Sequence, residues 1–238
     1  MSVTNLIKDN LRRVHERIGA ASAKANRDPD EITLIAVSKF ADADAIREAY
    51  QAGCRDFGEN RIQECAEKVL ALKQELPGAS WHMIGHLQTN KVKKSLELFD
   101  MIQSLDSFRL AEQINRRAAE AGRRIDVLVE VNSSGETQKN GLAPDEIGEL
   151  INQIYRLPEL NLRGIMTLGP HTEDQPEIRR AFSLTRELFE RFSKTYNPEN
   201  GGHPPVLSMG MTADFELAIA EGATMLRIGT AIFGQRTY

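Results

Sequence analysis

The sequence of 238 residues lacks any long apolar run. No stretch approaches the roughly 18 apolar residues that would cross a bilayer. The first eighteen residues, MSVTNLIKDNLRRVHERI, are charged from Lys8 onward and lack the apolar segment of a signal peptide. We therefore expect a soluble cytoplasmic protein with no membrane partner.

Cysteine and excess basic charge are also scarce. The two cysteines, Cys54 and Cys65, form neither a CxxC motif nor a secreted disulfide framework, which favours buried thiols in a reducing compartment. The formal net charge is -4, and a solvated helix face explains the one dense basic run, Lys91, Lys93 and Lys94. We therefore expect no nucleic-acid partner.

A metal-binding pattern is missing as well. His82 and His86 are four residues apart, but they fall on a predicted strand rather than a helix. No carboxylate pattern joins them, so core or rim histidines are the simpler interpretation. We expect no metal site.

Eight short apolar segments alternate with helical patterns along the chain. The predicted strands are 33–39, 55–57, 81–85, 101–105, 125–131, 160–168, 206–209 and 225–228. Such alternation indicates a parallel sheet, and eight units in this length match an α/β fold, the (β/α)₈ TIM barrel. A doubly wound open sheet is the alternative, but the GxGxxG fingerprint of its crevice is absent.

An amphipathic helix precedes the first strand. Residues 3–25 place Leu6, Ile7, Leu11, Val14 and Ile18 at helical spacing. No composition shift or linker divides the rest of the chain. We expect one domain over residues 1–238, with residues 1–27 as an N-terminal helix packed on the barrel.

The first predicted strand, TLIAVSK, ends on Lys39. Its composition indicates burial on both faces, so a lysine at its end is expected to be partly desolvated, which favours the neutral amine. A neutral amine at a fixed point can form a Schiff base with a carbonyl. A solvated lysine where a strand surfaces is the alternative.

Two glycine and hydroxyl patterns follow the seventh and eighth strands, where barrels often bind phosphate. In SMGMT, Ser208 and Gly210 precede Thr212, which is predicted to cap the next helix. In RIGTA, Gly229 and Thr230 can direct backbone N–H groups into the barrel mouth. Two tight turns that need glycine are the alternative.

A Schiff-base lysine combined with a phosphate site suggests pyridoxal 5'-phosphate. The pyridine nitrogen of this cofactor takes an Asp or Arg partner, and Arg227 on the last strand is the candidate. A guanidinium does not readily give up its proton, so the ring nitrogen opposite it stays unprotonated. The ring is then a weaker electron sink, which favours restrained chemistry or none.

Four segments together resemble a known family. They are AVSKF (36–40), FGENRIQE (57–64), WHMIGHLQTNK (81–91) and LSMGMTADFELAIAEGATMLRIGTAIFG (207–234). From about residue 30 to the C-terminus the chain resembles the pyridoxal phosphate homeostasis proteins, which are small relatives of the alanine racemase barrel. The resemblance implies a barrel of pyridoxal phosphate fold type III with the cofactor bound as a covalent aldimine to Lys39.

The resemblance also implies which residues contact the cofactor. Besides Lys39, they are Asn60, Ile84, Ser208, Arg227, Gly229 and Thr230, and the SMGMT pattern adds Gly210. No role is carried over for Phe40 or His86. The implied function is to carry or buffer pyridoxal phosphate and to maintain vitamin B6 and amino-acid homeostasis without robust turnover. Free amino acids and apo-enzymes that depend on the cofactor are the further partners to consider.

Two enzymatic functions are the alternatives. A racemase or lyase acting on amino acids needs a second acid/base, which alanine racemases take as a tyrosine from an added domain across a dimer. The tyrosines here, Tyr50, Tyr155, Tyr196 and Tyr238, fall in predicted helices or at the terminus. The chain ends directly after the last barrel unit, so we expect a monomer, no catalytic residue and no enzyme. A Schiff-base aldolase acting on a sugar phosphate would leave Arg227 without a task.

Overall fold

The computed structural model describes residues 3–196 and 203–234. Within these ranges eight parallel strands close into a barrel, in which each strand pairs with the next in sequence and the last pairs with the first. The strands are β1 (Thr33–Val37), β2 (Asp56–Glu59), β3 (Ser80–Met83), β4 (Met101–Leu105), β5 (Ile125–Val131), β6 (Leu160–Thr167), β7 (Val206–Ser208) and β8 (Met225–Ile228). The predicted (β/α)₈ barrel is confirmed.

The helices lie on the outside of the barrel, where the first precedes β1 and the others follow the strands. They are α1 (Val3–Lys24), α2 (Ala43–Gln51), α3 (Ile62–Glu75), α4 (Val92–Leu98), α5 (Phe108–Glu120), α6 (Ile147–Ile154), α7 (Gln175–Ser193), α8 (Phe215–Ala220) and α9 (Thr230–Phe233). Residues 197–202 lie outside the described ranges, as does Tyr238.

The helix α1 packs against α2, α8 and α9. It buries Leu11 and Val14 in the main core, as its apolar spacing predicts. Its polar side adds a cation–π contact, because the Arg17 guanidinium lies 4.4 Å from the ring centroid of Phe215. The helix therefore covers the outside of the barrel near the junction of its last and first units.

The core has two parts because strand side chains alternate between opposite faces. Outward-facing residues pack under the helices in one large cluster. Inside the barrel a small apolar cluster consists of Ile35, Met101, Leu128, Met166, Val206 and Met225. The polar residues Gln103, Ser208 and Arg227 are buried too, and the contacts described below place them inside the barrel.

Both cysteines are buried and not bonded to each other, in agreement with their interpretation as small apolar residues. Burial raises the pKa of each thiol to about 12, so Cys54 and Cys65 stay protonated and weakly reactive. Within residues 3–196 and 203–234, no helix is both long and apolar enough to span a membrane.

Candidate functional site

Lys39 lies just beyond the carboxyl end of β1, where the chain leaves the barrel in a turn. Its side chain is exposed, so the expectation of a partly desolvated lysine is wrong. The physical reason is that β1 ends two residues earlier, at Val37, and the last buried side chain is Ser38. The Lys39 ammonium lies 5.3 Å from the ring centroid of Phe40. An amine in this position is accessible to a carbonyl ligand.

A buried ion pair holds the segment that carries Lys39. Lys68 on α3 donates hydrogen bonds to the backbone carbonyls of Ser38 (2.8 Å) and Ala41 (3.0 Å). Its ammonium also lies 2.9 Å from the Glu59 carboxylate, which accepts a 2.6 Å hydrogen bond from the Ser38 hydroxyl. The Glu59 side chain is 1% exposed and that of Lys68 is 17% exposed, so solvent screens this contact poorly. We call these three residues, Ser38, Glu59 and Lys68, the β1 clamp.

Arg227 on β8 is buried inside the barrel. It donates one hydrogen bond to the Ser208 hydroxyl at 2.5 Å and another to the Thr167 carbonyl at 2.6 Å. Burial lowers the pKa of Arg227 to about 10, and the nearby Glu130 and Asp214 carboxyls oppose that shift. The guanidinium is therefore still a cation at neutral pH and acts only as a hydrogen-bond donor.

Ser208, at the end of β7, is fully occupied by contacts inside the protein. Its hydroxyl donates to the Gln103 side-chain carbonyl at 2.7 Å and accepts from Arg227. A hydroxyl has a single proton, so this arrangement leaves Ser208 none to donate to a phosphate. The geometry favours Ser208 as a support for Arg227 over Ser208 as a phosphate ligand.

A hydroxyl-rich rim is formed by the loops after β7 and β8. The Thr230 hydroxyl donates to that of Thr212 at 3.1 Å, so the Thr212 proton points elsewhere. Gly210 has φ +93°, and a Cβ there would lie 2.6 Å from the Ala218 Cβ, so this turn requires glycine. Gly229 precedes the first residue of α9.

The predicted capping role of Thr212 is wrong. Helix α8 begins at Phe215, and Asp214 precedes it. The Asp214 carboxylate accepts a 2.6 Å hydrogen bond from the Met211 backbone N–H, which closes the turn before the helix. Thr212 lies inside this turn with its hydroxyl at the rim.

Asn60 and Ile84 follow β2 and β3 on the other side of Lys39. The Asn60 side-chain oxygen is buried without a hydrogen-bond partner among the described residues. Ile84 is buried, and its N–H donates to the Glu59 carbonyl at 3.0 Å. A Cβ on Gly85 would lie 2.3 Å from the Asn60 carbonyl oxygen, so the backbone there is closely packed. An orphaned buried acceptor is costly unless a ligand donates to it.

Two buried polar residues in this region carry no sequence motif. Glu130 on β5 is 3% exposed, and burial raises its pKa to about 7, with Asp106 adding to the shift and Arg227 opposing it. Gln103 on β4 is fully buried. The available signal was the presence of polar residues within two largely apolar strands, MIQSL and IDVLVEV.

The two histidines lie in different surroundings. His82 lies on β3 and is buried, whereas His86 lies beyond the strand with its Nδ1 3.0 Å from the Asp106 carboxylate. Among the described residues no cluster of His, Cys, Asp and Glu could hold a metal ion. β3 ends at Met83, so the prediction that both histidines fall on one strand is wrong for His86.

The strand order brings the predicted residues to one region. Strands β1 and β8 are neighbours, so the segment with Lys39 adjoins the segment with Arg227, Gly229 and Thr230. A Cβ on Gly229 would lie 3.2 Å from the Val37 carbonyl oxygen. The arrangement offers an exposed amine, a cationic donor, two rim hydroxyls and an orphaned amide oxygen. The amine, the cationic donor and the rim hydroxyls match the aldehyde, ring nitrogen and phosphate of pyridoxal phosphate.

Comparisons with known proteins agree with this barrel. The family model described as alanine racemase, N-terminal domain, matches residues 6–237. A pyridoxal phosphate homeostasis protein of Aquifex aeolicus is 42% identical over 230 residues, which cover 97% of this chain and 98% of that protein. The structure of PipY of Synechococcus elongatus with pyridoxal phosphate bound has a TM-score of 0.77 and 38% identity, and the match covers 93% of this chain and 100% of PipY.

A more distant likeness concerns the fold alone. An alanine racemase of Clostridium difficile is 16% identical, with a TM-score of 0.69 over 97% of this chain and 58% of that one. Together with the family model, it defines the class as a barrel of the alanine racemase N-terminal domain type. Within that class, the chain belongs to the family of pyridoxal phosphate homeostasis proteins.

Proposed function

We propose that this protein binds pyridoxal 5'-phosphate, carries or buffers it, and so contributes to vitamin B6 and amino-acid homeostasis. The observation that supports the proposal is the pairing of β1 with β8, which makes the segment after β1 that carries the exposed Lys39 a neighbour of the segment after β8 that carries Gly229 and the rim hydroxyl of Thr230. The bound cofactor supplies an electrophilic carbon, and in this proposal it is held as a covalent aldimine on Lys39.

Each remaining residue has a separate task in the proposal. The Arg227 guanidinium donates to the ring nitrogen, and the Asn60 amide oxygen accepts from the ligand. Thr212, Thr230 and the backbone after Gly229 hold the phosphate, whereas Gly210 permits the turn that presents Thr212. Ile84 contributes a buried apolar contact.

A carrier role is favoured over rapid turnover by the charge of Arg227. Because this side chain remains a cation with its protons held, it does not protonate the ring nitrogen, and the ring withdraws electrons weakly. The Aquifex relative is named a homeostasis protein, which also supports a carrier role. Apo-enzymes are the proposed recipients of the bound cofactor, and free amino acids are proposed to bind to the loaded protein.

The test of the proposal is the absorption spectrum of purified protein titrated with pyridoxal phosphate. A yellow species is expected, and borohydride reduction followed by peptide mapping should place the label on Lys39. Lys39→Ala should abolish the yellow species, whereas the control Lys93→Ala, on the exposed face of α4, should retain it. A label on any other lysine would contradict the assignment.

One observation favours an amino-acid racemase or lyase as the second candidate. Glu130 lies in the same region with a pKa raised to about 7 by burial, which suits a general acid or base at neutral pH. The carrier and the enzyme differ in whether the α-proton of a bound amino acid exchanges with solvent at enzymatic rates.

A further inference from the structure

One chain of hydrogen bonds crosses the barrel interior, from Arg227 on β8 to Asp56 at the start of β2. The order of its side chains is Arg227, Ser208, Gln103, His82 and Asp56. The successive distances are 2.5, 2.7, 3.2 and 3.0 Å. The members come from β8, β7, β4, β3 and β2, so the chain joins strands from both sides of the barrel.

This chain of hydrogen bonds ends at a cavity at the end of the barrel opposite Lys39. Asp56 and His82 line this cavity, which has a volume of about 630 Å³ and opens between the amino ends of the strands. Gln103, Ser208 and Arg227 are at most 3% exposed, whereas the Asp56 side chain is 27% exposed. The chain of hydrogen bonds therefore runs from the solvent-accessible Asp56 through the buried interior of the barrel to Arg227, the proposed cofactor contact.

The two ends and the orientation of the Gln103 amide, whose oxygen faces Ser208 and whose nitrogen faces His82, together fix the direction of every hydrogen bond. Arg227 can only donate, so Ser208 accepts from it and has its own proton available for the Gln103 carbonyl. The Gln103 amide nitrogen then faces His82 Nδ1 as a donor, and its second proton points to the Met225 sulfur at 3.2 Å. His82 must therefore bear its proton on Nε2 and donate it to the Asp56 carboxylate, which can only accept.

We infer that Gln103 is a positioning residue for Arg227, held in turn by His82 and Asp56. Gln103 accepts the Ser208 proton and so keeps it pointed away from Arg227. The Ser208 oxygen then presents a lone pair to the guanidinium, and this hydrogen bond fixes the plane of the guanidinium. This inference rests on the proposed function, because the fixed plane is useful only if a ligand atom must meet the guanidinium at a set angle. It extends the site to residues that neither a motif nor a direct ligand contact identifies.

The matched pair of variants is Gln103→Met and Met166→Leu. Gln103→Met preserves the approximate shape of the side chain and removes its amide oxygen and nitrogen. Met166 is equally buried inside the barrel but is not part of the chain of hydrogen bonds. We expect Gln103→Met to weaken pyridoxal phosphate binding by about tenfold, which corresponds to about 1.4 kcal/mol, and to alter the absorption spectrum. Met166→Leu should bind with the parent's affinity and spectrum.

A rescue variant separates positioning from packing. Gln103→Glu still accepts from Ser208, so it should restore most of the affinity lost in Gln103→Met, but it cannot donate to His82 Nδ1. Equal loss in both variants would overturn the inference, as would a Gln103→Met protein with the parent's affinity and spectrum. If Gln103→Met does not fold, Ser208→Ala takes its place, with the same expected weakening.

A measurement without cofactor tests the chain independently of the proposed function. ¹⁵N NMR of the side chain of His82 in the ligand-free protein should show the proton on Nε2, and in Gln103→Glu a proton on Nδ1 as well. A proton on Nδ1 alone in the parent would overturn the inference. If the parent does not bind pyridoxal phosphate, the proposed function fails, and the histidine spectrum still decides whether the chain exists as described.

Discussion

At the scale of single residues, Ser208 and Thr212 have different surroundings although they are four positions apart in one motif. Ser208 is buried and its proton is donated to Gln103, whereas Thr212 lies at the rim beside Thr230. Sequence alone could not distinguish them, because both hydroxyls lie near the end of the same strand and precede the same helix. Only the partner on a distant strand, Gln103, decides which hydroxyl is available to a ligand.

The Glu130 carboxyl is expected to make folding stability depend on pH. Its pKa rises from 4.5 to about 7 in the folded protein, chiefly because burial disfavours the charged form. Between these values the unfolded chain loses the proton while the folded protein keeps it, so stability falls as pH rises through this window. The free energy of unfolding should fall by about 3 kcal/mol across this window, because each pKa unit corresponds to about 1.4 kcal/mol.

Glu130→Gln should remove this loss because the amide stays neutral at every pH. Measured by urea unfolding of the ligand-free protein, the variant should gain stability relative to the parent between about pH 5 and about pH 8. The control is Glu67→Gln, an exposed carboxyl on α3, which should follow the parent. Identical pH profiles for parent and Glu130→Gln would show that the carboxyl is ionised in the folded protein.

At the scale of elements, the β1 clamp ties α3 to the segment that carries Lys39. Lys68→Met removes the donor to two carbonyls and leaves the Glu59 carboxylate buried without its cation. Breaking a buried pair from one side costs roughly 3–5 kcal/mol, so we expect a clear loss of unfolding free energy. Binding of pyridoxal phosphate should weaken too, because the segment around Lys39 loses its anchor.

The same helix offers a matched control for the clamp. Lys73 pairs with Asp100 at 3.0 Å, but both side chains are partly exposed. Lys73→Met should therefore lower the free energy of unfolding by no more than about 1 kcal/mol. Glu59→Gln combined with Lys68→Met removes the unpaired charge and should recover stability without recovering affinity. If Lys68→Met behaved like Lys73→Met in both measurements, the clamp would have no role in holding Lys39.

The barrel's elements were predictable from sequence to a greater degree than the contacts between them. Short, mostly apolar runs separated by helical patterns predicted all eight strands, although β2 and β3 are displaced by one or two residues and β1, β6 and β7 end one or two residues earlier than predicted. The capping role of Thr212 was wrong because Asp214 closes that turn instead. The exposure of Lys39 was missed because composition does not show where a strand ends within two residues.

At the scale of the whole molecule, the polar groups inside the barrel connect its two ends. Which interior side chains meet depends on the stagger between strands, and no local pattern in the sequence encodes it. For this reason Gln103 and His82 could not be linked to Arg227 before the fold was known. Arg227 itself could be proposed as a site residue from the sequence, because it lies on the last strand just before the glycine and threonine of a predicted phosphate-binding pattern.

The last prediction concerns turnover by the whole protein. Carrying an amino acid beyond binding requires the α-proton to be removed and returned, and correctly placed acid/base groups supply about 10²–10⁴-fold in rate. Arg227 keeps its protons and so limits electron withdrawal by the ring. We expect a spectral change with L-alanine, but α-proton exchange in deuterated water far slower than the roughly 1–10³ s⁻¹ of typical enzymes.

Proton NMR of L-alanine incubated with the cofactor-loaded protein measures this exchange directly, and Lys39→Ala is the control for chemistry at the proposed site. Fast exchange that is lost in Lys39→Ala would make the protein an enzyme rather than a carrier. Glu130→Gln then identifies the acid/base group, because its carboxyl titrates at about 7 in the same region. Fast exchange that persists in Glu130→Gln would assign the proton transfer to another residue of the barrel mouth.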